Sequence, residues 1–134
     1  MKLIKGTILP VFLATIWISI SEFVRNGFLV KSFWIKHYQE LGLSFPSKPI
    51  NGIVWGIWSL LFATAIFIIA KKFTIIQTTF ISWFMAFVMM WVAIGNLDVL
   101  PYGLLIYGIP LSILESFIAT LIIKTFIIKK KESV

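Results

Sequence analysis

The chain contains no cysteine and a single histidine, His37. The first absence removes disulfides, thiol nucleophiles and thiolate metal sites. The second leaves no His-rich metal centre and no bis-histidine haem ligation within one chain, so neither a metal nor a cofactor is expected. Charge is scarce as well, with 5 Asp+Glu and charged residues at 13% of 134. No phosphate-loop, dinucleotide, metalloprotease or hydrolase motif is present. Internal repeats and low-complexity tracts are missing too. An enzyme is therefore the less favoured class, and the residues that could carry chemistry are few enough to be followed one by one.

Apolar residues fill the space that charge vacates. They make up 60% of the chain, and mean hydropathy is +1.01. A soluble globule of this length would be left with too much apolar surface, so residues 1–134 read as one all-α membrane domain with the lipid bilayer as its first partner. The net charge of +7 does not point to nucleic acid, because the basic residues sit in short flanks between apolar runs. Flanking charge of that kind controls topology.

Four apolar runs, residues 7–24, 53–70, 73–94 and 104–123, are long enough to cross a hydrocarbon core of about 30 Å as helices. Between the first two, residues 28–41 form a short amphipathic pattern. Val30, Phe33, Trp34, Tyr38 and Leu41 fall on one side, and Ser32, Lys36, Gln39 and Glu40 on the other. Too short and too polar to span, this helix is expected to lie in the interface with Trp34 and Tyr38 at headgroup depth. Asn26-Gly27 is expected to break the first helix, Gly42 to end the second, and the prolines of residues 44–52 to mark a loop. The predicted fold is a four-helix transmembrane bundle with one interfacial helix. Lys2 and Lys5 ahead of an apolar run also fit a secretory signal, with Ser19-Ile20-Ser21 as a small-x-small site. An uncleaved first span is the preferred reading, since Pro10 stands early, where a helix tolerates it.

Orientation follows from Lys and Arg. Lys2, Lys5, Lys71, Lys72, Lys124 and Lys129–Lys131 collect on one side, and Arg25, Lys31, Lys36 and Lys48 on the other. The positive-inside rule places both termini in the cytoplasm, with the plasma (inner) membrane as the expected location.

Glu115 stands near the centre of the last run, beside Ser112 and Ser116. A carboxylate at that depth costs roughly 2.5–3.5 kcal/mol on insertion scales, which protonation, a polar partner or a wet cavity must offset. Pro110 frees a carbonyl one turn earlier, and irregular backbone next to an intramembrane acid is how many transporters build a site. In the first run Thr15, Ser19, Glu22 and Asn26 share a helical face. In the third, Thr78, Ser82, Met85, Met89, Ala93 and Asn96 do the same. These faces are expected to turn inward around Glu115, with Ser19, Ser59, Ser82 or Thr15 as its hydrogen-bonding partners if its role is structural. Glu22 and Arg25, three apart, read as an interfacial ion pair at a helix end. A second candidate place is the outer rim, where Arg25, Asn26, His37, Asn96 and Asp98, together with Glu22, Glu40 and Asn51, could converge as a lipid-modifying site. Gly52, Gly56, Ser59 and Ala63 form a small-residue face that suits close helix packing, within the chain or in a homodimer.

Three function classes follow. The leading one is binding or transport of a proton-coupled, cationic or small amphiphilic solute, with Glu115, Ser112, Ser116, Ser19 and Glu22 as contacts. The second is a non-enzymatic membrane partner subunit that docks through the glycine face. The third is the outer-rim enzyme, which needs His37 and Asp98 close together.

Overall fold

The structure is a computed structural model that describes residues 1 and 3–132, the last four by their backbone alone. Lys2 and the side chains of Lys129–Lys131, which enter the orientation count, lie outside the described residues. The described chain is helical, with no strand. Its elements are α1 (Ile4–Leu29), α2 (Lys31–Glu40), α3 (Pro49–Ala70), α4 (Ile75–Asn96) and α5 (Leu105–Glu132). Four helices, Ile4–Leu29, Pro49–Ala70, Ile75–Asn96 and Tyr102–Ile128, are long and apolar enough to cross a membrane.

The distribution of polarity inverts that of a soluble protein. Large apolar side chains face outward, with Ile106 74% and Val92 69% exposed, while Glu22, Arg25, Ser59, Ser82, Glu115 and Thr120 are buried. Such a surface is stable against hydrocarbon and not against water. Inside, α1 packs on α3 and α5, and α5 packs on α3 and α4. The lower core joins Ala14 and Ile18 to Ala63 and Ile66 and to Ala119 and Ile123. Alanines at these crossings let backbones approach closely, which is where association energy comes from when lipid is the solvent.

Short local signals set the ends. Thr74 opens α4 with a reciprocal cap: its hydroxyl accepts from Gln77 N–H at 3.3 Å, and Gln77 Oε1 accepts from Thr74 N–H at 3.1 Å. This satisfies helix-terminal donors and makes the turn from α3 tight. Asp98, at φ 57°, closes α4 in the left-handed region, and its N–H bonds to the Gly95 carbonyl at 3.1 Å. Gly42, at φ 72°, does the same after α2.

Three boundaries differ from the sequence expectation. Asn26-Gly27 does not break the first helix, because a π turn over Arg25–Leu29 carries it on and bonds Val30 N–H to the Arg25 carbonyl at 2.9 Å. α3 begins at Pro49, so residues 49–52 of the expected loop form its first turn, with proline at the position a helix start accepts, and α4 runs past residue 94 to end at Asn96. A π turn also opens α1 over Ile4–Ile8, and within α4 a third, Phe84–Val88, bonds Met89 N–H to the Phe84 carbonyl five residues back. The extra residue rotates everything beyond it. Thr78 and Ser82 are buried as expected, but Met85, Met89, Ala93 and Asn96 are exposed, and Phe87 takes the inward position. The polar stripe read along this span therefore ends at Ser82.

α2 packs across the turn between α4 and α5. Val30 is fully buried against Leu100 and Leu104, with Phe33 and Trp34 alongside. The approach is close enough that a Cβ on Gly103 would sit 3.0 Å from the Phe33 ring. Trp34 and Tyr38 enclose Phe45 from the following loop, with ring centroids 6.1 and 5.4 Å away.

Asp98 thus has a backbone reason for its place. A left-handed L-residue costs up to roughly 1–2 kcal/mol, less for Asp, so Asp98→Gly is expected to leave thermal stability unchanged or raise it by up to about 1 kcal/mol. A melting temperature well below that of the parent in the same detergent would give the carboxylate a role of its own.

Candidate functional site

The buried stripe of α1 runs Pro10, Ala14, Ile18, Glu22, with Arg25 one turn further on. That of α5 includes Ser112, Glu115, Ser116, Ala119 and Ile123. Helical side chains lean toward their own N-terminus. On antiparallel neighbours, Arg25 and Glu115 therefore lean toward each other from opposite ends. Arg25 Nη1 lies 3.8 Å from Glu115 Oε1, while Arg25 Nη2 donates to Glu22 Oε1. Asn26 Nδ2 donates to Glu22 Oε2 at 2.8 Å, and Trp34 Nε1 donates to Asn26 Oδ1 at 3.1 Å. The guanidinium carbon stands 5.0 Å from the centre of the Phe87 ring, a cation–π contact. Trp17 Nε1 donates to the Glu115 carbonyl at 3.0 Å and fixes the height of α1 against α5.

The two places separated in the sequence thus share one cluster. Glu22 and Arg25 are 5% and 6% exposed, so they are not an interfacial pair at a helix end. They form with Glu115 a buried set of two carboxyls around one guanidinium. Neither Glu115 oxygen nor Arg25 Nη1 has a hydrogen-bond partner among the described residues. The α3 and α4 spans bring no acid or base to this interior. One proton on the cluster makes it neutral.

Ser21 is the serine beside the Glu115 carboxyl, whereas the Thr15, Ser59 and Ser82 hydroxyls expected there bond elsewhere. Ser112 Oγ accepts from Trp83 Nε1 at 2.9 Å and donates to the Ile109 carbonyl at 3.0 Å. Ser116 donates to the Ser112 carbonyl, Ser82 to Thr78, Ser59 to Trp55 and Thr15 to Val11, each within its own helix. A guanidinium stands in the role expected of a hydroxyl.

Above the cluster a groove of about 430 Å³ opens between α1 and the start of α3. Glu22 and Asn26 reach it from α1 with Ser19, and Ser59 and Asn51 from α3, while Lys31 and Lys48 also line it. Glu115 is not among its lining residues; it meets the groove only through Arg25 and Glu22. The small-residue face of α3 splits here. Ser59 and Ala63 are fully buried, but a Cβ built on Gly52 or Gly56 meets nothing within 4 Å. Those two glycines flank the groove rather than a packed helix.

The remaining outer-rim residues are dispersed. His37 does reach Asp98, with Nε2 2.7 Å from the main-chain oxygen rather than the carboxylate, and its Nδ1 is 3.9 Å from exposed Glu40. Asn96 is exposed. No group of three His, Asp or Glu able to hold a metal occurs among the described residues. Phe87 and Trp17 were not singled out from the sequence, and Lys31 and Lys48 entered there only through orientation. Phe87 carries no signal there because the π turn that turns it inward has none, whereas Trp34 and Asn26, eight apart, meet only because α2 folds back. Comparison with protein families, curated proteins and solved structures finds no match, so the functional argument rests on this chain's own residues.

Removing one member of a buried ion cluster leaves the others uncompensated, at a cost of roughly 3–5 kcal/mol. Arg25→Met is expected to destabilise the protein by about that much in detergent melts. Adding Glu22→Gln and Glu115→Gln to the same chain is expected to recover most of the loss, and strict additivity would show that the three do not act together.

Proposed function

We propose that this chain is a four-span bundle of the plasma membrane, with both termini cytoplasmic and α2 in the outer headgroup layer. In this reading it binds a small amphiphilic solute in the groove between α1 and α3, and occupancy is linked to a proton on the Glu22–Arg25–Glu115 cluster. The observation that carries it is the position of Glu22, which lines the groove and, through Arg25, is joined to the buried Glu115. Any charge brought to the groove alters the field at Glu22, and the cluster answers by gaining or losing a proton. Intramembrane acids and bases are expensive to keep, and their usual return is function. Glu115 acts here as a positioning and proton-holding residue, with Glu22 the nearer to the solute.

The test uses protein in neutral detergent, titrated with dodecyl phosphate and with dodecyltrimethylammonium. Binding of at least one is expected to change by about tenfold or more between about pH 5 and pH 8, as one linked proton would require. Glu115→Gln is expected to keep the fold and the binding but flatten that dependence. A variant as pH-dependent as the parent removes the linkage.

A second reading draws on Gly52 and Gly56, where an added Cβ meets nothing within 4 Å among the described residues. A partner membrane helix or a second copy could pack there. Gly56→Leu would then disrupt a complex on native gels, and unchanged mobility sets this reading aside.

A further inference from the structure

We infer that the groove between α1 and α3 seats the phosphate head of a membrane amphiphile, held by Lys31 and Lys48, with the hydrocarbon tail leaving sideways past Gly52 and Gly56. This deepens the amphiphile reading above and rests on it.

Charge selects the head. Glu22 is the acid in the groove, and both its oxygens are engaged, one by Arg25 and the other by Asn26. Lys31 and Lys48 are its bases; both are exposed, and neither is paired with a carboxylate among the described residues. With Glu22 balanced by Arg25, the mouth presents two uncompensated positive charges. An ammonium head would find no unengaged carboxylate there. A phosphate ester brings negative charge and several acceptor oxygens, and lysine binds it as a mobile point charge. Asn51 supplies a further donor, since its Oδ1 is held by Lys48 N–H at 3.0 Å and its amide NH2 remains to donate.

Shape selects the tail. A volume of about 430 Å³ lies within the usual range of small-ligand sites, roughly 300–1,000 Å³. On the side where Gly52 and Gly56 leave open space, Phe23 and Trp55 are 65% and 44% exposed and offer apolar surface continuous with the outside of the helices. Inorganic phosphate would use the lysines and leave this surface without an occupant. An alkyl phosphate uses both.

Native mass spectrometry of the full chain released from neutral detergent tests this, with dodecyl phosphate, dodecyltrimethylammonium and inorganic phosphate as probes. One saturable dodecyl phosphate per chain is expected. The double variant Lys31→Ala/Lys48→Ala is expected to bind it at least tenfold more weakly. Gly56→Leu, which narrows the tail path without touching charge, should weaken it as well. Lys36→Ala, an exposed lysine of α2 outside the groove, should have no effect. Equal weakening by Lys36→Ala reduces the effect to general surface charge and overturns the proposal, as does a double variant that binds like the parent. Inorganic phosphate that binds as tightly as dodecyl phosphate overturns the tail. Tighter binding of dodecyltrimethylammonium, lost in Glu22→Gln, overturns the phosphate head but leaves the amphiphile reading standing. Binding of neither amphiphile removes both.

Discussion

One guanidinium held between two carboxyls inside a helical packing sets the terms for the upper half of this molecule. Taking such charges from water costs several kcal/mol each, and only close, well-hydrogen-bonded geometry recovers it. The Glu22 carboxylate obtains that geometry from Arg25 and Asn26, and Asn26 is in turn held by Trp34 of α2. Glu115 obtains less, an ion pair at 3.8 Å without a hydrogen bond. The cluster therefore has α2 above it and the Phe87 ring beside it, and Tyr38 and Phe45 pack around Trp34, which holds Asn26.

Two of the three π turns, those over Arg25–Leu29 and Phe84–Val88, are the backbone's contribution to the same end. Arg25 opens one and Phe87 lies in the other, so both partners of the cation–π contact sit where the helix is wound one residue wide. A π turn displaces side chains by a residue relative to an α-helix and is frequent at functional positions. Here one carries the first helix past Asn26-Gly27, and the other turns Phe87 inward.

Much of the fold was legible because the bilayer imposes so simple a rule. Four apolar runs of spanning length, separated by Lys71-Lys72 or by Gly, Pro and Asn, leave little freedom in the helical assignment, and α3 and α5 lie close to where hydropathy puts them. Glu115 announced itself as a charge in hydrocarbon. Its partner did not, because Arg25 follows the apolar run of α1 by one residue and reads as a helix-end cation. Only the continuation of α1 through Gly27 and the placement of α2 over that end bring it inside. The inward face of α4 failed for a different reason: a strict 3.6-residue period cannot anticipate an inserted residue, so Met85 and Met89 took the place that Phe87 holds. Spacing also grouped Gly52 and Gly56 with Ser59 and Ala63, whereas tertiary packing closes over the second pair alone.

The lower half of the packing has a consequence for direction. Below Glu115, Ala14, Ile18, Ala63, Ile66, Ala119 and Ile123 close the interior with small and branched side chains, among which the Thr120 hydroxyl is also buried. The groove lining ends at Ser19 on α1 and Ser59 on α3 and includes none of these core residues. A single chain built this way is asymmetric along its helices, with the groove at one end and close apolar packing at the other. What joins the groove to the interior of the packing is charge alone: Glu22 lines the one, Glu115 stands in the other, and Arg25 lies between them.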